Sequence, residues 1–297
     1  MKLTVKTHCK INLLLNVVGH REDGFHELEM LMLPVPLFDK LKVELTGSGI
    51  EFKCNQPSIP NDSKNLAYKA AEQFKAKAQI SGGIRINLEK NIPAEAGLGG
   101  GSGNAAGTLL ALNKLHDKAL NISTLQEIAC SLGSDVPFFM QALPAIAKGR
   151  GEIIEPVGKL NLLEGKSLLL IRPKFGISTP WAYKKLSQFP AAKNRPLGQA
   201  NDLVLALKKG PLNEGYGKLY NSLEFPVFNK FPLIKLIKEY ALDHGAESAL
   251  MCGSGSTVFA ICSNRSEAEL LSESFKSNFA PLSMNQIITL PGEFNLF

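Results

Sequence analysis

Five glycines and a serine crowd into seven consecutive positions, Gly97-Leu98-Gly99-Gly100-Gly101-Ser102-Gly103. An apolar, strand-like run at 84–88 precedes them, and an alanine- and leucine-rich helical run at 104–115 follows. Glycine lets a backbone approach a ligand closely and adopt positive φ. A strand, a glycine loop and a helix in that order aim free N–H groups and the positive end of a helix dipole at one point. Anions collect at such a point, and a polyphosphate is the commonest anion that needs so many donors. A flexible Gly/Ser linker is the competing explanation, but linkers seldom join a buried strand to an alanine-rich helix. The loop reads as a phosphate cradle.

Elimination narrows its type. No lysine follows the glycines, so the G-x-x-x-x-G-K-[ST] signature of P-loop NTPases is absent. Read from Gly97, the G-x-G-x-x-G spacing puts Ser102 where the third glycine belongs. Read from Gly101 it fits only the looser alanine form, too far after the strand for a dinucleotide fold. His20-Arg21-Glu22-Asp23 is no H-R-D catalytic loop and has no partner D-F-G, so protein-kinase landmarks are missing.

What remains is P-x-x-x-G-L-G-G-G-S, running from Pro93 through Ala94, Glu95, Ala96, Gly97, Leu98, Gly99, Gly100 and Gly101 to Ser102 and ending on Gly103. This resembles the ATP loop of the GHMP kinase superfamily. Other segments follow in the superfamily's order. Lys10-Ile11-Asn12 leads into three leucines, and Gly19-His20-Arg21-Glu22-Asp23-Gly24-Phe25-His26 comes next. Gly133-Ser134-Asp135-Val136-Pro137-Phe138-Phe139 occupies the middle, and Met251-Cys252-Gly253-Ser254-Gly255-Ser256 lies near the C-terminus. Together they resemble the branch that phosphorylates a cytidine diphosphate-linked methylerythritol in non-mevalonate isoprenoid synthesis, and the likeness runs from about residue 5 to residue 290.

Composition agrees and adds little. A chain of 297 residues can form two ordinary domains, and 44% hydrophobic with 20% charged residues describes a soluble globular protein. No apolar run approaches the ~20 residues that span a bilayer, so no membrane partner is expected. The N-terminus enters a strand pattern at once (Leu3, Val5, Thr7), from which neither a signal nor a transit peptide is expected. Five scattered cysteines without C-x-x-C spacing read as reduced thiols of a cytoplasmic protein. The histidines show no ligand spacing with them, so no zinc site is expected. A net charge of +6 raises the question of nucleic acid, but Lys and Arg form no block and no binding signature is present. That excess suits the steering of a polyanionic small substrate. A monomer or weak homodimer is expected.

Period-2 patterning predicts strands at 3–8, 11–18, 28–36, 40–46 and 50–54. A helix is predicted at 65–78 and another at 124–132 with Ser123 or Thr124 as cap; strands at 144–148 and 152–157 close this half. The stretch 156–165 is the expected boundary. Beyond it come a strand at 167–172, helices at 181–187, around 200–222 and at 231–244, a strand at 257–262, a helix at 266–276 and a strand at 284–289. The resemblance implies an α+β, two-domain GHMP kinase fold. A ribosomal-protein-S5-like ATP-binding domain would cover 1–157 and a ferredoxin-like domain 158–297, with the active site in the cleft between them.

Phosphoryl transfer to an alcohol needs a charge cradle, in-line positioning and help removing the hydroxyl proton. Asp135 is the candidate base; its bland alternative is a helix cap, since Ser134-Asp135 before Val136-Pro137 suits a helix start. Lys10 stands in an apolar β pattern, where an exposed edge lysine is the ordinary explanation. The resemblance places it beside the aspartate and the acceptor hydroxyl, where its charge lowers the hydroxyl's pKa. Asn12, two residues on, faces the same side of the strand and is expected to hold substrate. The resemblance also implies that Phe25 stacks on cytosine and His26 hydrogen-bonds its edge. Tyr183 is the expected second stacking residue, with Trp181 as the weaker candidate, and Thr179 lies nearby on the same segment. Asn65 resembles the residue near the adenine in this superfamily, with an ordinary helix cap as the competing explanation. Gly253 and Ser254 would support the phosphate loop and the substrate diphosphate. ATP is the expected co-substrate with Mg²⁺, for which Ser102 is the one ligand suggested.

Two departures from the superfamily pattern stand out. Glu95 puts a carboxylate where small residues are usual, and Gly103-Asn104 replaces a hydroxyl-bearing pair. Other GHMP kinases, acting on homoserine, mevalonate or a sugar, lack the Phe25-His26 and Tyr183 combination. A non-catalytic sensor on the same fold would be expected to lose Lys10 or Asp135, and both are present.

Overall fold

A computed structural model describes residues 1–192, 195–279 and 281–292 of the chain. The N-terminal half is organised around two long antiparallel strands, β1 (Lys2–His20) and β2 (His26–Thr46). Each was expected as two shorter strands. The ladder continues because irregularities absorb the breaks, with register shifts between His8 and Cys9, Asn12 and Leu14, and Val17 and Gly19. Pro36 falls in the first of these, between the pairs His8–Phe38 and Cys9–Val35, where its missing N–H costs no ladder bond.

Strands β3 (Ile50–Cys54) and β4 (Gly83–Glu89) extend the sheet beyond β2, while β5 (Ala145–Gly149) pairs with β2 and β6 (Ile153–Pro156) with β5. Helices α1 (Leu66–Lys77), α2 (Gly100–Leu115), α3 (Ile122–Leu132) and the short α4 (Val136–Phe139) pack against it. Their contact is built on Ala70, Phe74, Leu109, Leu112, Phe138 and Phe139, all buried. Helix α2 starts four residues before the expected point, inside the glycine run, with Gly99 as its N-cap in the left-handed region. Helix α3 is capped by Asn121, whose Oδ1 accepts from Thr124 N at 2.8 Å, so the cap lies before Ser123.

The second half holds a four-stranded antiparallel sheet of β7 (Ser167–Pro173), β9 (Ser248–Met251), β10 (Val258–Cys262) and β11 (Leu282–Thr289), in the order β11-β7-β10-β9. Helices α5 (Thr179–Leu186), α6 (Gln199–Lys209), α7 (Leu212–Gly217), α8 (Glu224–Lys230) and α9 (Pro232–Asp243) lie between β7 and β9 in the chain. Helix α10 (Arg265–Asn278) lies between β10 and β11. That is the β-α-β-β-α-β order of a ferredoxin-like unit. Strand β9 has no counterpart among the expected strands, and neither does β8 (Tyr220–Asn221), which pairs in parallel with β1 at Leu14 and Leu15. Through β8 the second half adds an edge to the first sheet.

Candidate active site

A cleft of about 910 Å³ opens between the halves. The first half lines it with Lys10, Phe25, His26, Asp135 and the run 93–102, and the second half with Thr179, Tyr183, Gly253 and Ser254.

A buried ion pair anchors the entry to the glycine loop. Lys90 Nζ lies 2.6 Å from Asp39 Oδ2, and the other carboxylate oxygen accepts from Asn91 N and Ile92 N at 2.7 and 2.8 Å. Gly97 and Gly99 adopt φ of +77° and +70°. A Cβ on Gly97 would stand 1.9 Å from the Cys252 carbonyl oxygen, so only glycine lets the two glycine loops touch there. The first turn of α2, with Gly100, Gly101 and Ser102, faces the cleft with its free N–H groups.

Lys10 is tied to this loop by its backbone, whose N–H donates to Leu98 O at 2.9 Å. Its ammonium donates to Asn12 Oδ1 at 2.6 Å and stands 3.5 Å from Asp135 Oδ2. The lysine side chain is 5% exposed and the aspartate 31%, so the carboxylate is the member of the pair a substrate can reach. Asp135 precedes α4, yet its side chain makes no cap bond and turns to Lys10.

Phe25 is 50% exposed, with the Arg150 guanidinium 4.6 Å from its ring centroid. Its backbone N–H donates to Asp23 Oδ1 at 3.1 Å, which shapes the turn between β1 and β2. The His26 and Tyr183 rings pack with centroids 5.1 Å apart. Burial, and after it the Asp135 charge, push the Tyr183 phenol well above its usual range, so it stays neutral. Tyr183 sits on α5, which Ser178 caps; Thr179 Oγ1 and Ser254 Oγ share a hydrogen bond of 2.7 Å across the mouth. Trp181 packs edge-on against Phe231, its ring centroid 5.5 Å away, and does not line the cleft.

Three expected site residues do not line the cleft. Asn12 is fully buried and spends its amide on Lys10 and Met30. Asn65 caps α1, accepting from Ala67 N and donating to Pro60 O at 2.9 Å each. At Gly103 a Cβ would point at the His8 carbonyl oxygen, 2.9 Å away, so a hydroxyl there would face β1. Asn104 likewise turns inward and accepts from Thr7 Oγ1 at 2.7 Å. Glu95 lines the cleft at φ +51°, near the Arg172 guanidinium, which donates to Ala94 O at 3.1 Å. Arg150 and Lys184 line the cleft as well. Neither was read as a site residue; Arg150 is signalled only by its place between two glycines, and Lys184 by its neighbour Tyr183.

Among the described residues no cluster of three or more His, Cys, Asp or Glu could hold a metal ion. None of their helices is long and apolar enough to cross a membrane.

A family model described as GHMP kinases N terminal domain matches residues 65–142, and one described as GHMP kinases C terminal matches 201–281. A 4-diphosphocytidyl-2-C-methyl-D-erythritol kinase of Clostridium botulinum (strain Eklund 17B / Type B) is 37% identical over 286 residues, covering 96% of this chain and all of the relative. The crystal structure of a 4-(cytidine 5'-diphospho)-2C-methyl-D-erythritol kinase superposes with a TM-score of 0.78 at 34% identity, covering 96% of this chain and 99% of the other. The homoserine kinase of Cytophaga hutchinsonii shares the fold, with a TM-score of 0.76 at 18% identity over 98% of this chain and 96% of its own.

Proposed function

The chain belongs to the 4-diphosphocytidyl-2-C-methyl-D-erythritol kinase family of GHMP kinases, and we propose from that membership how its own residues perform the reaction. It transfers the γ-phosphoryl group of ATP to the 2-hydroxyl of 4-diphosphocytidyl-2-C-methyl-D-erythritol, giving the 2-phosphate and ADP in the non-mevalonate route to isoprenoid precursors. The observation that carries the assignment of roles is the 3.5 Å approach of Lys10 Nζ to Asp135 Oδ2 beside the glycine loop.

Residues 93–102 hold the ATP phosphates through backbone N–H groups and the N-terminus of α2. Asp135 takes the proton of the attacking hydroxyl as the new O–P bond forms and the bond to the ADP leaving oxygen breaks. Lys10 pairs with Asp135 and stabilises the developing alkoxide, and Asn12 fixes the ammonium. Phe25 and Tyr183 take the cytosine ring between them, and His26 reads its edge. Gly253 and Ser254 support the substrate diphosphate. Mg²⁺ would accompany ATP and neutralise its phosphates, and Ser102, which lines the cleft, would be its one protein ligand. Residues 1–157 form the ATP-binding domain and 158–297 the C-terminal domain of a cytoplasmic monomer or weak homodimer without nucleic-acid or membrane partners.

A coupled ADP-release assay with the cytidine substrate, homoserine, mevalonate and galactose tests the reading. Turnover confined to the cytidine substrate is expected. Faster turnover of any of the other three would overturn it.

A further inference from the structure

Asn221 ends β8, opposite Leu15 of β1, and its side chain leaves the first sheet to reach the second glycine loop. Its Nδ2 donates to Met251 O and to Gly253 O, both at 2.8 Å, and its Oδ1 accepts from Leu223 N at 2.9 Å. Both amide donors are therefore spent on one loop, in a side chain that is buried. Glu224 completes the grip, since its Oε1 accepts from Met251 N at 3.0 Å.

The loop held in this way lies directly on the phosphate site. A Cβ on Gly253 would be 3.1 Å from Gly97 O and 3.6 Å from Lys10 Nζ. Loops in such close contact have little room for either to shift alone. Ser222, the next residue, is equally buried, but its Oγ accepts from Val17 N of β1 at 3.0 Å. Two neighbouring buried hydrogen-bond sites thus serve different ends, one the glycine loops and one the sheet edge.

We propose that Asn221 is a positioning residue for phosphoryl transfer. By fixing the Met251 and Gly253 carbonyls it sets the spacing of the two glycine loops, and so holds Gly253 and Ser254 level with Lys10 and Gly97. The proposal rests on the kinase reading above. A small misplacement of groups that orient reactants costs up to about 100-fold in rate, a loss in kcat that a purely structural hydrogen bond elsewhere in the fold would not cause.

The test compares Asn221→Asp, Asn221→Ala and Ser222→Ala in the full-length enzyme. Asn221→Asp keeps the acceptor for Leu223 N and loses both donors; Asn221→Ala serves should the buried carboxylate prevent folding. The Asn221 variants are expected to lose about 10- to 100-fold in kcat, with affinity for cytidine 5'-monophosphate within about twofold. Amide hydrogen exchange across residues 251–256 should quicken in them. Ser222→Ala should lower the melting temperature comparably, yet keep kcat within about twofold and leave exchange at 251–256 unchanged. Native kcat in Asn221→Ala, or an equal loss in Ser222→Ala, would overturn the proposal. A wild-type enzyme inactive on the cytidine substrate would instead overturn the kinase reading, and the exchange comparison would still judge the loop contact by itself.

Discussion

The ammonium of Lys10 stands 3.5 Å from the Asp135 carboxylate although the two residues come from opposite ends of the N-terminal half. Both approach through the glycine loop. Lys10 donates its backbone N–H to Leu98 O, and a Cβ on Gly99 would touch both the Phe139 ring and Lys10 Cγ, at 2.8 and 3.1 Å. Loop, carboxylate and cation therefore pack as one unit. A partly buried pair of this kind differs from a surface ion pair, because removing one partner leaves the other charge poorly compensated.

Asp135→Asn should remove the proposed base while preserving the shape of the site. Loss of a positioned base typically costs ~10²–10⁴ in rate. The melting temperature should fall only modestly, because the carboxylate makes no helix-cap bond and the Lys10 ammonium keeps Asn12 Oδ1 as a partner. Steady-state kinetics with thermal melts check this, and near-native turnover would remove Asp135 from the mechanism.

Lys10→Met keeps the aliphatic stem and deletes the charge. The expected result is a fall in kcat much larger than any loss of ATP affinity, since the ammonium bonds Asn12 and faces Asp135. Nucleotide titration of the variant decides the matter. Should ATP binding carry most of the defect, Lys10 belongs to the phosphate cradle instead.

Local pattern carried much of this arrangement. The glycine loop, β4 and α1 were legible because each has its own periodicity and punctuation, and the second half followed apart from α8, β8 and β9. The two long strands were not, because the bulges that keep β1 and β2 continuous come from their pairing. Alternation put Asn12 on the side of Lys10, where it lies, but could not tell that Lys10 itself would consume its amide. Gly103 was counted with the phosphate loop because it is adjacent in sequence; one helical turn aims it at β1. The meeting of Lys10 with Asp135 had no local signal at all and rested on family resemblance.

His8 lies buried beside Phe138 and Phe139, and desolvation lowers its pKa from 6.5 to about 4. The unfolded chain therefore binds a proton at pH values where the folded chain does not. Stability from keeping this ring neutral is complete above pH 6.5 and is lost as pH falls toward 4, by about 3 kcal/mol in all. Urea unfolding at pH 7 and pH 4.5 should give a shallower pH dependence for His8→Asn than for wild type. Equal slopes would show that His8 does not carry the acid sensitivity.

The proposed cytosine site makes the sharpest prediction. Arg150 backs the Phe25 ring at 4.6 Å, and the Tyr183 ring lies against His26 with centroids 5.1 Å apart. Stacking on an aromatic face contributes ~1–3 kcal/mol and is nearly indifferent to which base is stacked. Discrimination has to come from hydrogen bonds, because a site built for one base edge leaves its polar groups unpaired with another. Phe25→Ala should accordingly weaken the cytidine and uridine forms of the substrate about equally. His26→Ala should narrow the preference between them with less effect on overall affinity, and Tyr183→Ala should weaken both. Competition between the two forms on each variant measures these ratios directly. If His26→Ala keeps full base selectivity, the edge of the base is read elsewhere; if Tyr183→Ala leaves affinity untouched, the ring does not lie between Phe25 and Tyr183.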